Sequence, residues 1–72
     1  MRAEFTAVIE AAEEGGFWAT CPEVPGANGQ GETIDETKRN LAAANQLVLE
    51  DRREDALRGL PKEAIRDIVA IP

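Results

Sequence analysis

The sequence predicts a two-layer α+β fold in the order β-β-β-α-β, an antiparallel meander covered by one helix, and three stretches carry the prediction. Residues 4–11 alternate polar and apolar; Gly15-Gly16 divides that run from an aromatic one; Thr33-Ile34-Asp35-Glu36 opens a segment with apolar residues at three- and four-residue steps. Period two giving way to period 3.6 marks strands followed by a helix.

The first strand reads from the alternation of Phe5, Ala7, Ile9 and Ala11 with Glu4, Thr6 and Glu10, broken only by Val8. Two glycines, free to take positive φ without a Cβ clash, are what a tight hairpin turn asks for. The return strand, Phe17-Trp18-Ala19-Thr20-Cys21, stops at Pro22, which has no N–H to give a ladder. Pro25-Gly26 suits the two central positions of a type II turn. Residues 27–31 then form a short third strand, in which Gly29 and Gly31 signal an edge or a close backbone approach.

Thr33 and Glu36 match the capping box, so a helix starts there and covers at least residues 33–52, with Gly59 a plausible C′ residue before Pro61. Its apolar stripe is Ile34, Thr37, Leu41, Ala44 and Val48, flanked by Leu47. Residues 61–71 admit two readings, a helix after Pro61 or a strand through residues 67–71. The run of β-branched residues favours the strand.

The 72 residues make one domain, with no internal repeat or linker to divide them, and a thin core. One cysteine and no histidine leave neither an internal disulfide nor an ordinary zinc site to stiffen it, so self-association or a partner is the remaining support, and from the thin core and open sheet a homodimer is expected. The N-terminus lacks a signal pattern, and no apolar run is long enough for a membrane span; a cytoplasmic protein is expected. With 14 acidic and 8 basic residues the net charge is −6, and the basic residues are scattered, without aromatics between them. That balance disfavours nucleic acid and suits a basic protein partner.

Catalytic chemistry finds little to use. Cys21 has no local base to lower its pKa and reads as a small core residue. Glu4 and Glu10 belong to the polar side of a strand, Glu13 and Glu14 to a turn; a metal-assisted hydrolase built on such carboxylates is the weakest of the readings. Gly26, Gly29 and Gly31 precede a helix, yet their spacing is that of neither a dinucleotide fingerprint nor a P-loop, and Glu32, Asp35 and Glu36 would repel a phosphate. No cofactor or metal is expected. Phe17 and Trp18 are adjacent on a strand and point to opposite faces. If Phe17 joins Phe5 in the core, Trp18 is left to anchor an interface on the open face or to pack on the terminal strand.

Taken in order, the double-glycine turn with its aromatic (Gly15, Gly16, Phe17), the segment Cys21-Pro22-Glu23-Val24-Pro25-Gly26, and Gln30-Gly31-Glu32-Thr33 ahead of Asp35-Glu36 resemble the N-terminal domain of HicB-type antitoxins, over residues 4–50. The resemblance implies a partly formed ribonuclease-H-like α+β fold without that fold's catalysis. It also implies a place in type II toxin–antitoxin modules, masking a small basic HicA-type toxin that cleaves mRNA. Full-length antitoxins of that family add a DNA-binding module after this domain. Here the remainder after the helix is too short for one, so direct DNA binding is not expected.

The expected function is therefore binding rather than catalysis: a HicB-like antitoxin domain whose acidic groups speed encounter and whose apolar sheet residues hold the partner. Trp18, Glu10, Glu23 and Val24 are the residues expected to meet it. The competing reading is a stand-alone homo-oligomeric module with another ligand and no toxin.

Overall fold

In the computed structural model, which describes residues 4–72, three short strands form one antiparallel sheet in the order β1-β2-β3 and a single helix packs on one face of it. β1 is Val8–Ala11, β2 Phe17–Thr20, β3 Asn28–Gly31, and α1 is Ile34–Ala56. The α+β arrangement of a meander followed by a helix is the one expected from the sequence.

The hairpin between β1 and β2 closes through two backbone bonds, Gly15 N–H to the Ala12 carbonyl (3.1 Å) and Ala12 N–H to the Gly16 carbonyl (3.0 Å). Both glycines have positive φ, 105° and 73°. Gly16 is required twice over, because a Cβ there would also lie 2.7 Å from the Gly31 carbonyl oxygen.

After β2 the chain makes two successive turns, Val24 N–H to the Cys21 carbonyl and Ala27 N–H to the Val24 carbonyl, each 3.1 Å. Gly26 at φ 95° occupies the second central position of the latter, as a type II turn requires. Together the two turns fold Val24 inward, where it is completely buried.

Helix α1 begins at the expected cap: the Glu36 N–H donates to Thr33 Oγ1 (3.1 Å), and Asp35 and Glu36 lie in the first turn, where the helix dipole favours them. It ends four residues beyond the minimum expected, with Leu57 as C-cap and Gly59 at φ 73° two residues further on.

The helix is drawn down onto β3 because the two residues of β3 that face it are glycines. A Cβ on Gly29 would lie 2.6 Å from the Leu41 backbone nitrogen, and one on Gly31 would lie 2.9 Å from the Thr37 nitrogen. Two side chains then hold it in place. Asn40 Nδ2 donates to the Gln30 carbonyl (2.7 Å), and the Arg52 guanidinium donates to the Pro25 carbonyl (2.9 Å).

So close an approach leaves room only for small side chains. The core is Ala19, Cys21, Val24, Ala27 and Leu41, with Ala7, Ile9, Ala44 and Val48 packed against it. Thr37 is buried without penalty because its hydroxyl donates to the Thr33 carbonyl (2.7 Å). The aromatic residues are peripheral: Phe17 is half-buried and Phe5 exposed. Ile34 and Leu47, assigned from periodicity to the apolar stripe or its flank, are exposed; the stripe that meets the sheet is Leu41, Ala44, Asn45 and Val48.

Two expectations need correction. The first strand does not extend over residues 4–11; the ladder covers Val8–Ala11 only, because Thr6 gives its N–H to the Glu23 carboxylate. Nor do residues 67–71 form a strand, or residues 61–71 a helix. Beyond the helix there are two turns, one at residues 57–59 and one closed by Ala64 N–H to the Pro61 carbonyl (3.2 Å), and an arm that is exposed throughout. A strand needs an edge to pair with, and the arm is placed against none within its own chain.

Candidate interaction surface

The register sorts the sheet residues into two faces. Ile9, Ala19 and Gly29 are aligned across the three strands, as are Ala11, Phe17 and Gly31; these rows lie under the helix. The alternate rows, Val8 with Thr20 and Asn28, and Glu10 with Trp18 and Gln30, therefore point away from it. Trp18 stands at the centre of this open face and is 42% exposed.

The indole separates two shallow depressions. One is bounded by Glu10, Glu13 and Glu14, the other by Thr20, Asn28 and Gln30. A large aromatic ring with carboxylates on one side and neutral hydrogen-bonding groups on the other presents apolar area together with negative potential. Such a surface can hold a cationic protein partner, the ring being covered and the acids acting at the rim.

Of the four residues expected to bind a partner, the structure brings two together: Glu10 and Trp18 are direct cross-strand neighbours. Val24 is elsewhere, 0% exposed in the core, and supports the fold. Glu23 is an internal tie. Its two carboxylate oxygens accept the Thr6 N–H (3.1 and 3.0 Å), Oε2 accepts the Thr6 hydroxyl (2.7 Å), and Oε1 lies 3.5 Å from Cys21 Sγ. The Thr6 hydroxyl bond, the bond to Glu23's own backbone, and the bonds from the Thr6 N–H and Cys21 hold the carboxyl below its usual pKa, against a smaller opposing effect of desolvation.

Cys21 is a buried free thiol, the core role its sequence context indicated. Among the described residues no three acidic or cysteine side chains converge on a point that could hold a metal ion. No described helix is long and apolar enough to cross a membrane.

Asn45 was not singled out from the sequence. It lies four residues after Leu41 on the buried side of α1, 7% exposed, and its Oδ1 has no hydrogen-bond donor. The signal was available: an amide interrupting an apolar helical stripe is either satisfied by a neighbour or turned toward something outside the fold.

The chain is 64% identical to UPF0150 protein ssl0738 of Synechocystis sp. strain PCC 6803, over all 72 residues and the full length of both proteins. It is 35% identical over 46 residues, covering 64% of this chain and 58% of the other, to UPF0150 protein ssr1765 of the same strain. No protein-family model matches the chain. No solved structure matches it either. Identity at the level of the first relative, sustained from end to end, reflects common descent, and the chain belongs to the UPF0150 family.

Proposed function

We propose that this chain is a HicB-like antitoxin-type binding protein that neutralises a small basic HicA-type mRNA-cleaving toxin by covering it with the open face of its sheet. The observation that carries the reading is the exposed Trp18, aligned with Glu10 and flanked by the Glu13-Glu14 turn. Burial of the indole supplies affinity, and the carboxylates raise the rate of encounter with a cationic surface. The segments that resemble HicB-type antitoxins are the ones that build this face: Gly15 and Gly16 close the hairpin that carries Trp18, and the Pro22 and Pro25 turns lead into β3.

The test is direct. The neighbouring open reading frames are searched for a short basic protein, and any found is purified and titrated against the chain by calorimetry while mRNA cleavage is followed in parallel. Tight binding with loss of cleavage supports the reading; absence of both ends it.

A second reading, a homo-oligomeric module without a toxin, is favoured by a different observation: the apolar arm beyond α1 has no place within its own chain. Finding no toxin partner alongside stable self-association would select it.

A further inference from the structure

A further concavity lies on the helix side of the sheet, away from the face that carries Trp18. It is a groove of ≈ 580 Å³ between α1 and the segment leading into β1, with Phe5, Ala7, Leu41, Ala42, Asn45 and Leu49 among its walls. The unpartnered Oδ1 belongs to Asn45, in this groove. Beside it runs the outer edge of β1, which has no strand paired to it among the described residues. The site is thus mostly apolar, with charged residues along its rim, and adjoins an open strand edge.

The complementary element is in the same sequence. Ile65, Ile68 and Val69 are 94%, 88% and 90% exposed, and Ile71 is also exposed. β-branched residues of this kind favour extended backbone, and in a strand Ile65, Val69 and Ile71 fall on one side with Ile68 on the other. An extended segment also offers a backbone N–H at every second residue to the edge it lies along.

The arm is carried away from its own groove. The turn at residues 57–59 and the turn closed by Pro61 and Ala64 lead it clear of the body, and the molecule measures 55 Å along its longest axis although a 23-residue helix spans only about 34 Å. A second copy can receive it without disturbing either turn.

We infer that residues 65–71 of one copy dock along the β1 edge and into the groove of a second copy, and that the second copy returns its arm in the same way. Ile65, Val69 and Ile71 enter the groove against Leu41 and Leu49, and Ile68 passes onto the open face beside Val8. Lys38 and Arg53 line the groove about 22 Å apart along α1, with Glu50 between them, so Asp67 can meet one of the two bases. The exchange uses the β1 edge and the helix side of the sheet, and meets the Trp18 face only where Ile68 passes beside Val8.

Two measurements on the full chain test it. Sedimentation over micromolar concentrations is expected to show a dimer, weakened more than about 100-fold by Val69→Asp in the arm and similarly by Ala42→Glu in the groove. Both positions are exposed in the single chain, so circular dichroism is expected to stay native in each variant. In a mixture of isotope-labelled and unlabelled protein, filtered NMR experiments should connect Val69 methyls to Leu41 or Leu49 of the other copy. A monomeric wild-type protein, a dimer indifferent to both substitutions, or arm contacts confined to a single chain would each overturn the inference.

Discussion

A Cβ built on Gly29 would lie 2.6 Å from the backbone nitrogen of Leu41, and this one relationship sets the distance between the two layers. The obstruction is helix backbone, not a side chain that can swing aside. The Gly29→Ala variant is expected to lose about 2 kcal/mol, the ordinary cost of overpacking, read as a lower urea midpoint. Gly15 has positive φ, which Gly29 does not, but faces open space, so Gly15→Ala carries only the conformational cost and should lose less.

Thr33 caps α1 through a single hydroxyl bond to the Glu36 N–H. Thr33→Ala is expected to cost about 1 kcal/mol, whereas Thr33→Ser should be nearly neutral because it keeps the acceptor. Chemical denaturation of the three proteins side by side checks both values.

Glu23 ties the segment before β1 to the turns after β2, and its folded pKa lies below the ordinary value of 4.5. A depressed carboxylate pKa means that the folded state favours the ionised form. Its stabilisation is complete above the unfolded pKa and is lost as pH falls through the folded one. Wild type is therefore expected to melt higher than Glu23→Gln at pH 7, with the gap closing below about pH 4.5 as the carboxyl protonates. Thermal melts across that range decide it, and a gap that persists unchanged in acid would contradict the assignment.

Trp18 is half-exposed and makes no contribution to the buried core. Trp18→Ala should therefore change stability by only about 1 kcal/mol and, if the proposed antitoxin role holds, weaken binding of the basic partner at least ~30-fold, the signature of an interface anchor. Calorimetry with the partner, set beside denaturation of the free variant, separates the two effects. An equal loss in both would assign the indole to the fold instead.

Much of this architecture is legible residue by residue. The capping hydroxyl of Thr33, the paired glycines of the hairpin and the Pro25-Gly26 turn are local devices, each set by the φ a residue can adopt or the N–H it can satisfy, and each lies where the sequence implies. Alternation likewise placed Phe17 and Trp18 on opposite faces, while leaving open whether Trp18 anchors an interface or packs on a terminal strand; in the structure it is exposed. The reading of the core was less complete. Periodicity suggested that aromatic and larger aliphatic residues would fill it, yet Phe5, Ile34 and Leu47 are exposed and the interior is built from alanines, Cys21, Val24 and Leu41. The reason is the separation between helix and sheet, which follows from Gly29 and Gly31 facing Leu41 and Thr37 across the layers.

The expected binding residues divide in the same way. Glu10 beside Trp18 follows from the two-residue period of paired strands, whereas Glu23 and Val24 sit in a loop whose two turns send one side chain to Thr6 and the other into the core. The arm is the clearest case. Its β-branched composition favours extended backbone wherever it lies, but composition contains no term for which edge is vacant or how far the turns at its root carry it. Local conformational preferences are properties of neighbouring residues and can be read along the chain; which surfaces meet is set by the distances between elements, and these exist only once the helix has settled onto the glycines of β3.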